Sequence, residues 1–237
     1  MSENIFVLTG AGISAESGLG TFRDKNGVGV WAKFNPMKLA TPQAFARDPE
    51  TVLAFCDLRR RNLVGAKPSA AHFALARLEG ALAERGGHLT LVTQNIDDLH
   101  ERAGSRRVIH MRGELLKARC GWCEAVRPWR DDLAVSHACP DCGRAGALRP
   151  HVVWFGEMPM SMDVIDRSLR KADLFVAVGT SGAVYPAAGF VAEARAIGLR
   201  TCEINLEAAD NADLFDEQRL GPASETVPAW VDKVLGV

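Results

Sequence analysis

The sequence predicts an α/β protein in which a doubly wound parallel sheet carries a small inserted module. Three observations predict it. A short apolar run, NIFVLT, leads straight into the glycine turn Gly10-Ala11-Gly12; a β-α-β unit with near-continuous apolar strands lies between Asp173 and Asn205; and four cysteines, Cys120-x2-Cys123-x15-Cys139-x2-Cys142, stand between them. The 237 residues suffice for one large domain and a small module, and 47% hydrophobic residues with a net charge of -1 argue against disorder and against a nucleic-acid or membrane surface.

In chain order, Asn4 to Gly10 reads as a buried strand and Ala11 to Leu19 as a turn and helix start. A glycine-rich loop, KNGVGVWAKFNP, precedes a helical stretch over 40–64 in which Pro49 opens a second helix. The region from Thr21 to Lys67 is too long for an ordinary connection and reads as an inserted helical module. PSAAHFALARLEGALAERGG has Pro68 near its start and a closing glycine pair, the marks of a helix with both ends signposted. HLTLVTQN is the next strand. DLFVAVGTS, the helix PAAGFVAEARAIG and the strand RTCEIN make the β-α-β unit, and the tail closes with a helix offering Val227, Trp230, Val231 and Leu235 for packing.

Polar or small residues follow four strand ends, at Gly10, Gln94-Asn95, Gly179-Thr180-Ser181 and Asn205. In open α/β sheets the ligand crevice lies there. Gly10 to Ala15 fits G-x-G-x-x-G/A: Gly10 permits the turn, Gly12 a close backbone approach to a pyrophosphate, and Ala15 helix-to-sheet packing, with helix amides facing the anion. The bland reading is a structural turn. The acid that an ordinary dinucleotide fold places about 20 residues on is missing around Val28 to Trp31, which disfavours a standard dehydrogenase.

Four thiolates at the cysteine spacing close a tetrahedral site and leave no position for water, so zinc there is structural; an iron-sulfur cluster shares the spacing. His137 is surplus to that ligand set, and Gly121 and Gly143 are placed for tight turns. Cys56 and Cys202 read as small buried hydrophobes. Asp97 suits a ribose or a water and Asn95 a small amide or hydroxyl. His110 reads equally as a general base, its ordinary pKa lying near neutrality, and as a hydrogen-bonded structural histidine. His72, on an alanine- and leucine-rich helix face, reads as structural; His100 and His151 carry no assignment. With no basic region before the first apolar run and no stretch near the roughly 18 residues of a membrane span, a reducing, cytoplasmic setting is expected.

Taken together, GAGISAESG (10–18), TFR (21–23), TQNIDDLHERAG (93–104), IHMRGEL (109–115), the four cysteines, PHVVWFGE (150–157), GTS (179–181) and INLE (204–207) resemble the sirtuins, NAD-dependent protein lysine deacylases, and most closely the bacterial group related to the mitochondrial desuccinylase. The resemblance runs over nearly the whole chain. It implies a Rossmann-like large domain (1–30, 68–112 and 153–237) and a small domain made of a helical module (31–67) and a zinc module (113–152). It also implies NAD and Zn(2+) as cofactors and acylated protein lysines as partners; from composition, neither nucleic acid nor membrane is expected, and a monomer is favoured although the sequence does not fix the oligomeric state.

Carried over by motif, Gly10, Ala11, Gly12, Phe22, Arg23, Gln94, Asn95, Asp97, Gly179, Thr180, Ser181, Asn205, Leu206, Glu207 and Ala223 would surround NAD. Gly12 and Ile13 would shape the nicotinamide pocket. The acyl oxygen would attack the ribose carbon that bears nicotinamide, with Asn95 and Asp97 placing ribose and water. His110 would then take a proton from a ribose hydroxyl, so that the acyl group passes to ADP-ribose. Val153, Trp154, Phe155 and Gly156 resemble the segment that pairs with substrate main chain.

Two departures stand out. In the succinyl- and malonyl-removing group a Tyr and an Arg, three residues apart on a helix, bind the distal carboxylate; this chain has Cys56 and Arg59. Either Arg59 still reads the carboxylate or the smaller cysteine opens the pocket to other chains; Arg59 also belongs to the charged run Arg59-Arg60-Arg61. Arg112 stands where close relatives carry histidine. Other readings to be tested are a deacetylase or broad deacylase without acidic-acyl preference, protein mono-ADP-ribosyl transfer, and an NAD-binding module without turnover.

Overall fold

Alternate residues of the first strand point to opposite sides of a sheet, and both sides are apolar: Ile5 and Val7 enter one core, Phe6 and Leu8 another. A strand of this kind must be covered on both faces. A computed structural model, which describes residues 3–21 and 34–237, shows how the chain does it.

In chain order the elements are β1 (Asn4–Thr9), the one-turn α1 (Gly12–Ala15), α2 (Pro36–Leu39), α3 (Pro42–Arg47), α4 (Pro49–Gly65), α5 (Ala70–Glu84), β2 (His88–Thr93), α6 (Leu99–Arg102), β3 (Val108–His110), β4 (Gly113–Cys120), β5 (Val126–Pro128), β6 (Leu148–Val152), α7 (Met162–Leu169), β7 (Leu174–Val178), α8 (Phe190–Ala196), β8 (Arg200–Asn205), β9 (Glu217–Leu220) and α9 (Ala223–Leu235). The large sheet runs β3-β2-β1-β7-β8-β9, parallel throughout. Strand order reverses direction at β1, so the ends of β1 and β7 flank the switch point where α/β sheets bind ligands.

One face of this sheet packs on α5 and α9, where Leu75, Leu78, Val227, Trp230, Val231 and Leu235 are buried as the tail's apolar spacing implies. The other face packs on α7 and α8 through Ile165, Leu169, Phe190 and Val191. Cys202 lies in the first core, and Cys56 in a separate small-domain core with Leu39, Phe55, Leu63, Leu115 and Trp154.

Proline and its cap shape the helical module. Thr41 and Asp48 each accept a hydrogen bond from a first-turn amide, of Ala44 and Thr51, with Pro42 and Pro49 immediately inside the helices. A second, antiparallel sheet, β5-β4-β6, carries the cysteines. Module and sheet are joined by a buried pair: Arg60 binds Asp57 and donates from Nε to the Leu115 carbonyl at 3.2 Å, while Asp57 accepts the Leu133 amide at 3.1 Å.

One expectation for the glycine turn is corrected. The turn and helix start expected over Ala11 to Leu19 comprise a single helical turn, with Gly18, at φ 82°, beyond its end. Ala15 is exposed, so helix-to-sheet contact falls to the buried Ile13 and Ser14.

Candidate functional site

The β1 and β7 ends meet backbone to backbone. Gly10 donates its amide to the Val178 carbonyl and Gly12 to the Gly179 carbonyl, each at 2.9 Å; a Cβ on Gly12 would stand 2.7 Å from the Gly179 Cα. Glycine at 10 and 12 is therefore required by loop-to-loop packing. The amides of Gly12, Ile13 and Ser14 are all bonded within the protein, to Gly179, Gly10 and Ala11, so the expected row of helix amides facing an anion is not what the turn provides. Phe22 and Arg23 lie outside the described residues.

Beyond β2, Asn95 and Asp97 are buried and converge on Ser14. Asn95 Nδ2 donates to the Gly10 carbonyl at 3.0 Å and to Ser14 Oγ at 3.1 Å; Ser14 Oγ donates to Asp97 Oδ2 at 3.0 Å. Leu99 N–H donates to Asp97 Oδ1 at 3.2 Å. Burial pushes the Asp97 carboxyl up, against the pull of those Leu99 and Ser14 bonds and the His110 charge. Behind Ser14, His72 Nε2 stands 3.4 Å from Oγ, while the Ser69 amide donates to Nδ1 at 3.1 Å, which assigns the proton to Nε2. Burial, with a smaller contribution from Arg102, lowers the His72 pKa to about 4, so the ring is neutral. His100 is buried beside it, ring centroids 4.9 Å apart, with Nε2 3.0 Å from Thr9 Oγ1.

His110 ends β3 with its side chain 8% exposed. Its Nε2 lies 2.6 Å from Glu101 Oε1, and Nδ1 is buried without a hydrogen-bond partner. Burial alone would lower the pKa; the Glu101 hydrogen bond and charge, then the Glu114 charge and the nearby Asn95 main chain, outweigh it and raise it. Such a ring holds a proton readily, as a base for a hydroxyl should. Arg112, the departure noted above, donates from Nη2 to Gln94 Oε1 at 3.1 Å, while its carbonyl accepts the Val153 amide at 2.9 Å.

A cavity of about 110 Å³ lies between the strand ends and the helical module, lined among others by Ala11, Ser14, Asn95, Asp97 and, from α4, Arg59. Burial lowers the Arg59 pKa against the opposing pull of Cys56 and Asp97. Cys56, one turn earlier, is not among the lining residues; it packs in the small-domain core. Of the expected acyl-reading pair, the structure brings only Arg59 to the cavity.

At the far side of the switch point, Asn205 donates from Nδ2 to the Thr180 carbonyl at 2.7 Å, and Gly179 donates to the Ile204 carbonyl at 2.9 Å. Gly179, Thr180, Ser181 and Asn205 thus form one rim; Leu206 and Glu207 are exposed just past it. Ala223 opens α9, whose Ser224 is held by Glu16 through N–H and Oγ bonds of 2.8 and 2.6 Å. Val153, Trp154, Phe155 and Gly156 follow the end of β6. The Val153, Trp154 and Phe155 amides bond to Arg112, Glu157 and Ala40, so pairing with a peptide would fall to the segment's carbonyls and Gly156. The cavity is walled by residues beyond β1 and β2, and the polar rim beyond β7 and β8 lies at the same end of the sheet, an arrangement that fits a dinucleotide laid across the switch point.

The cysteines pass a sharper test. Cys120 and Cys142 sulfurs stand 3.8 Å apart and Cys123 and Cys139 sulfurs 3.7 Å, with all four within 4.8 Å of one another. Four thiolates at about 2.3 Å from one zinc have edges of about 3.8 Å; a disulfide would need about 2.0 Å. The cage suits a single ion and is too tight to enclose a multi-iron cluster. The residue after each pair is left-handed, Glu124 at φ 59° and Gly143 at 72°; Gly121 is not, and its expected turn role passes to Glu124. His137 accepts the Ala134 amide at 2.9 Å and stays outside the ligand set.

Sequence reasoning passed over Ser14, Glu101 and Ser69. A serine or glutamate near a motif gives no signal until the fold brings its partner close. Ser69 could have been found from the capping-box logic, with His72 in the place usually held by Glu or Gln.

Residues 10–186 match the family model described as Sir2 family. An NAD-dependent protein deacylase of Caulobacter vibrioides is 62% identical over 231 residues, covering 98% of this chain and 96% of that protein. A crystal structure of a Sir2 homologue with NAD matches with TM-score 0.85 at 40% identity, covering 99% of this chain and 91% of the other. A mutant Sir2 homologue with 2'-O-acetyl ADP-ribose matches with TM-score 0.86 at 39% identity, covering 100% and 94%.

Proposed function

The chain belongs to the Sir2 family, and from that premise we propose that it is an NAD-dependent protein lysine deacylase that passes the acyl group to ADP-ribose and accepts succinyl or malonyl as well as acetyl chains. The observation that carries the reading is that Arg59, Asn95 and Asp97 line one cavity at the strand ends, with His110 on the adjoining strand.

Bound NAD supplies a ribose carbon with nicotinamide as leaving group. Around it, Asn95 and Asp97, fixed by Ser14, orient ribose and water. Ala11, Gly12, Gln94, Ser181 and Asn205 would flank the dinucleotide, and Arg112 sets the Gln94 amide. His110 would accept a proton from a ribose hydroxyl. The acyl chain enters past Val153 to Gly156, and Arg59 pairs with a distal carboxylate. A planar guanidinium in a partly desolvated wall favours such a bidentate anion over a methyl group. The four thiolates would hold zinc away from this chemistry, as a brace for the small domain.

Six unpaired cysteines support a reducing, cytoplasmic setting, and a monomer is the state proposed. No helix among the described residues is long and apolar enough to cross a membrane.

The test is product mass spectrometry of one peptide bearing acetyl-, succinyl- or longer acyl-lysine, incubated with NAD and either the native protein or Arg59→Met. O-acyl-ADP-ribose is expected, with succinyl turnover lost selectively, about 10- to 100-fold, in the variant. Equal activity of both proteins on every chain would end the acidic-acyl reading; a protein-bound ADP-ribose increment without peptide deacylation would end the deacylase reading.

A further inference from the structure

The His110 ring pairs with one side chain among the described residues, Glu101, which is not part of the cavity lining. Glu101 reaches it from α6, Nε2 to Oε1 at 2.6 Å, while Nδ1 is buried and unpartnered. The pair is unlike an ordinary surface ion pair, since the imidazole is 8% exposed while Glu101 keeps 40% of its side chain in solvent.

The short helix that presents Glu101 is fixed at several points. Asp97 accepts the Leu99 amide, and Arg102 Nη1 and Nη2 donate to the Ala66 and Leu63 carbonyls at 2.7 and 3.1 Å. Arg102 also pairs with Asp98 at 3.0 Å. These bonds fix the backbone from which Glu101 extends, and its carboxylate reaches the ring of His110 through the 2.6 Å bond.

We propose that Glu101 is a positioning residue for His110, its carboxylate fixing the heading of the imidazole and balancing the positive charge the ring gains when it takes a proton. The inference rests on the reading of His110 as the base. In that step the ribose O–H bond breaks and its oxygen keeps the electron pair for attack on the acyl carbon, an N–H bond forms at Nδ1 because Nε2 already carries the proton donated to Glu101, and Glu101 stays ionised, so no further reactant is needed. Neutral imidazole is the working form, and Glu101 makes protonation easier. The carboxylate therefore strengthens the base while moving its acidic limb to higher pH.

Other groups also act on the ring. Glu114 of β4 has its carboxylate within 4.8 Å and is paired with Lys117; Asp97 and His100 are electrostatically coupled to His110. Glu114→Gln is the control for general acidity without the hydrogen bond.

The experiment follows two steps separately in the full-length protein with NAD and acyl-peptide: nicotinamide exchange, which precedes the proton transfer, and O-acyl-ADP-ribose formation across pH. Glu101→Gln is expected to slow acyl transfer about tenfold on the alkaline plateau and to move its acidic limb to lower pH, with exchange within about twofold of native. Glu114→Gln is expected to move the limb less. An unmoved limb in Glu101→Gln, or exchange falling in parallel with acyl transfer, overturns the proposal. His110→Ala run alongside separates the two ideas. If that variant still transfers acyl groups, the base assignment fails; if it is inactive while Glu101→Gln matches native, only the role of Glu101 fails.

Discussion

Gly12 and Gly179 touch through their backbones: the Gly12 amide bonds to the Gly179 carbonyl at 2.9 Å, and a Cβ on Gly179 would meet the Ile13 nitrogen at 2.5 Å. Nothing flexible lies between the two loops. Gly179 also sits at φ 63°, a conformation that costs any other residue. Gly179→Ala should thus lose roughly 1–3 kcal/mol of stability from strain, read by urea denaturation, and lose NAD binding with it. A variant as stable as native would mean that the loops separate without cost.

Ser14 is the shared partner of Asn95 and Asp97. Ser14→Ala removes a donor from a buried carboxylate and an acceptor from a buried amide, at about 1–3 kcal/mol for a group left unsatisfied. Nicotinamide exchange should fall by roughly 5- to 150-fold with the circular dichroism spectrum unchanged. Native exchange in the variant would show that Asn95 and Asp97 hold their places unaided.

The first strand, the glycine turn and the cysteine spacing were legible because each is local: an apolar run with glycine after it, or two pairs of thiols two residues apart. Strand-end position and side-chain chemistry pointed to Asn95, Asp97 and His110, while their roles toward NAD and the acyl chain were legible only through resemblance. Ser14 meets its partners Asp97 and Asn95 across 83 and 81 positions, and no periodicity announces a serine of that kind. The roles of individual small residues were read less well. Ala15 fits the glycine motif but points to solvent, because the helix it was meant to dock lasts one turn. Strand β3 was unseen because three half-buried residues, Val108 to His110, carry too little pattern to distinguish them from a loop.

Asp57 and Arg60 form a buried ion pair that also ties the Leu115 carbonyl and the Leu133 amide, and so links α4 to the cysteine sheet. Asp57→Leu leaves a guanidinium without its counter-charge, at about 3–5 kcal/mol. The double variant Asp57→Leu with Arg60→Met removes that penalty and should be more stable than the single one. A double variant that is no better would show that the backbone contacts, not the charge, dominate.

Zinc should be a brace. One zinc per chain is expected by elemental analysis, and chelation should lower the melting temperature before acyl transfer is lost at a temperature where the chain stays folded. Within the cage, Glu124→Gly should be neutral or slightly stabilising because Glu124 lies at φ 59°, whereas Gly143→Val, at φ 72°, should weaken zinc retention. A fully folded and active protein containing no zinc would refute the assignment.

His72 sets a pH dependence that is separate from catalysis. Its pKa is about 4 in the folded protein against an ordinary 6.5, the consequence first of burial and then of Arg102. Between those values the unfolded chain binds a proton that the folded one does not, so stability rises with pH across that window. The neutral ring costs nothing above pH 6.5, and the penalty grows as pH falls, reaching roughly 3 kcal/mol near pH 4. His100, also held well below its ordinary value by burial and by the neighbouring His72 and His110, acts in the same direction. Urea denaturation at pH 7.5 and 5 should therefore show a loss on acidification that is smaller in His72→Gln, whose amide oxygen can still accept the Ser69 amide. An identical loss in both proteins would place the acid sensitivity in other groups.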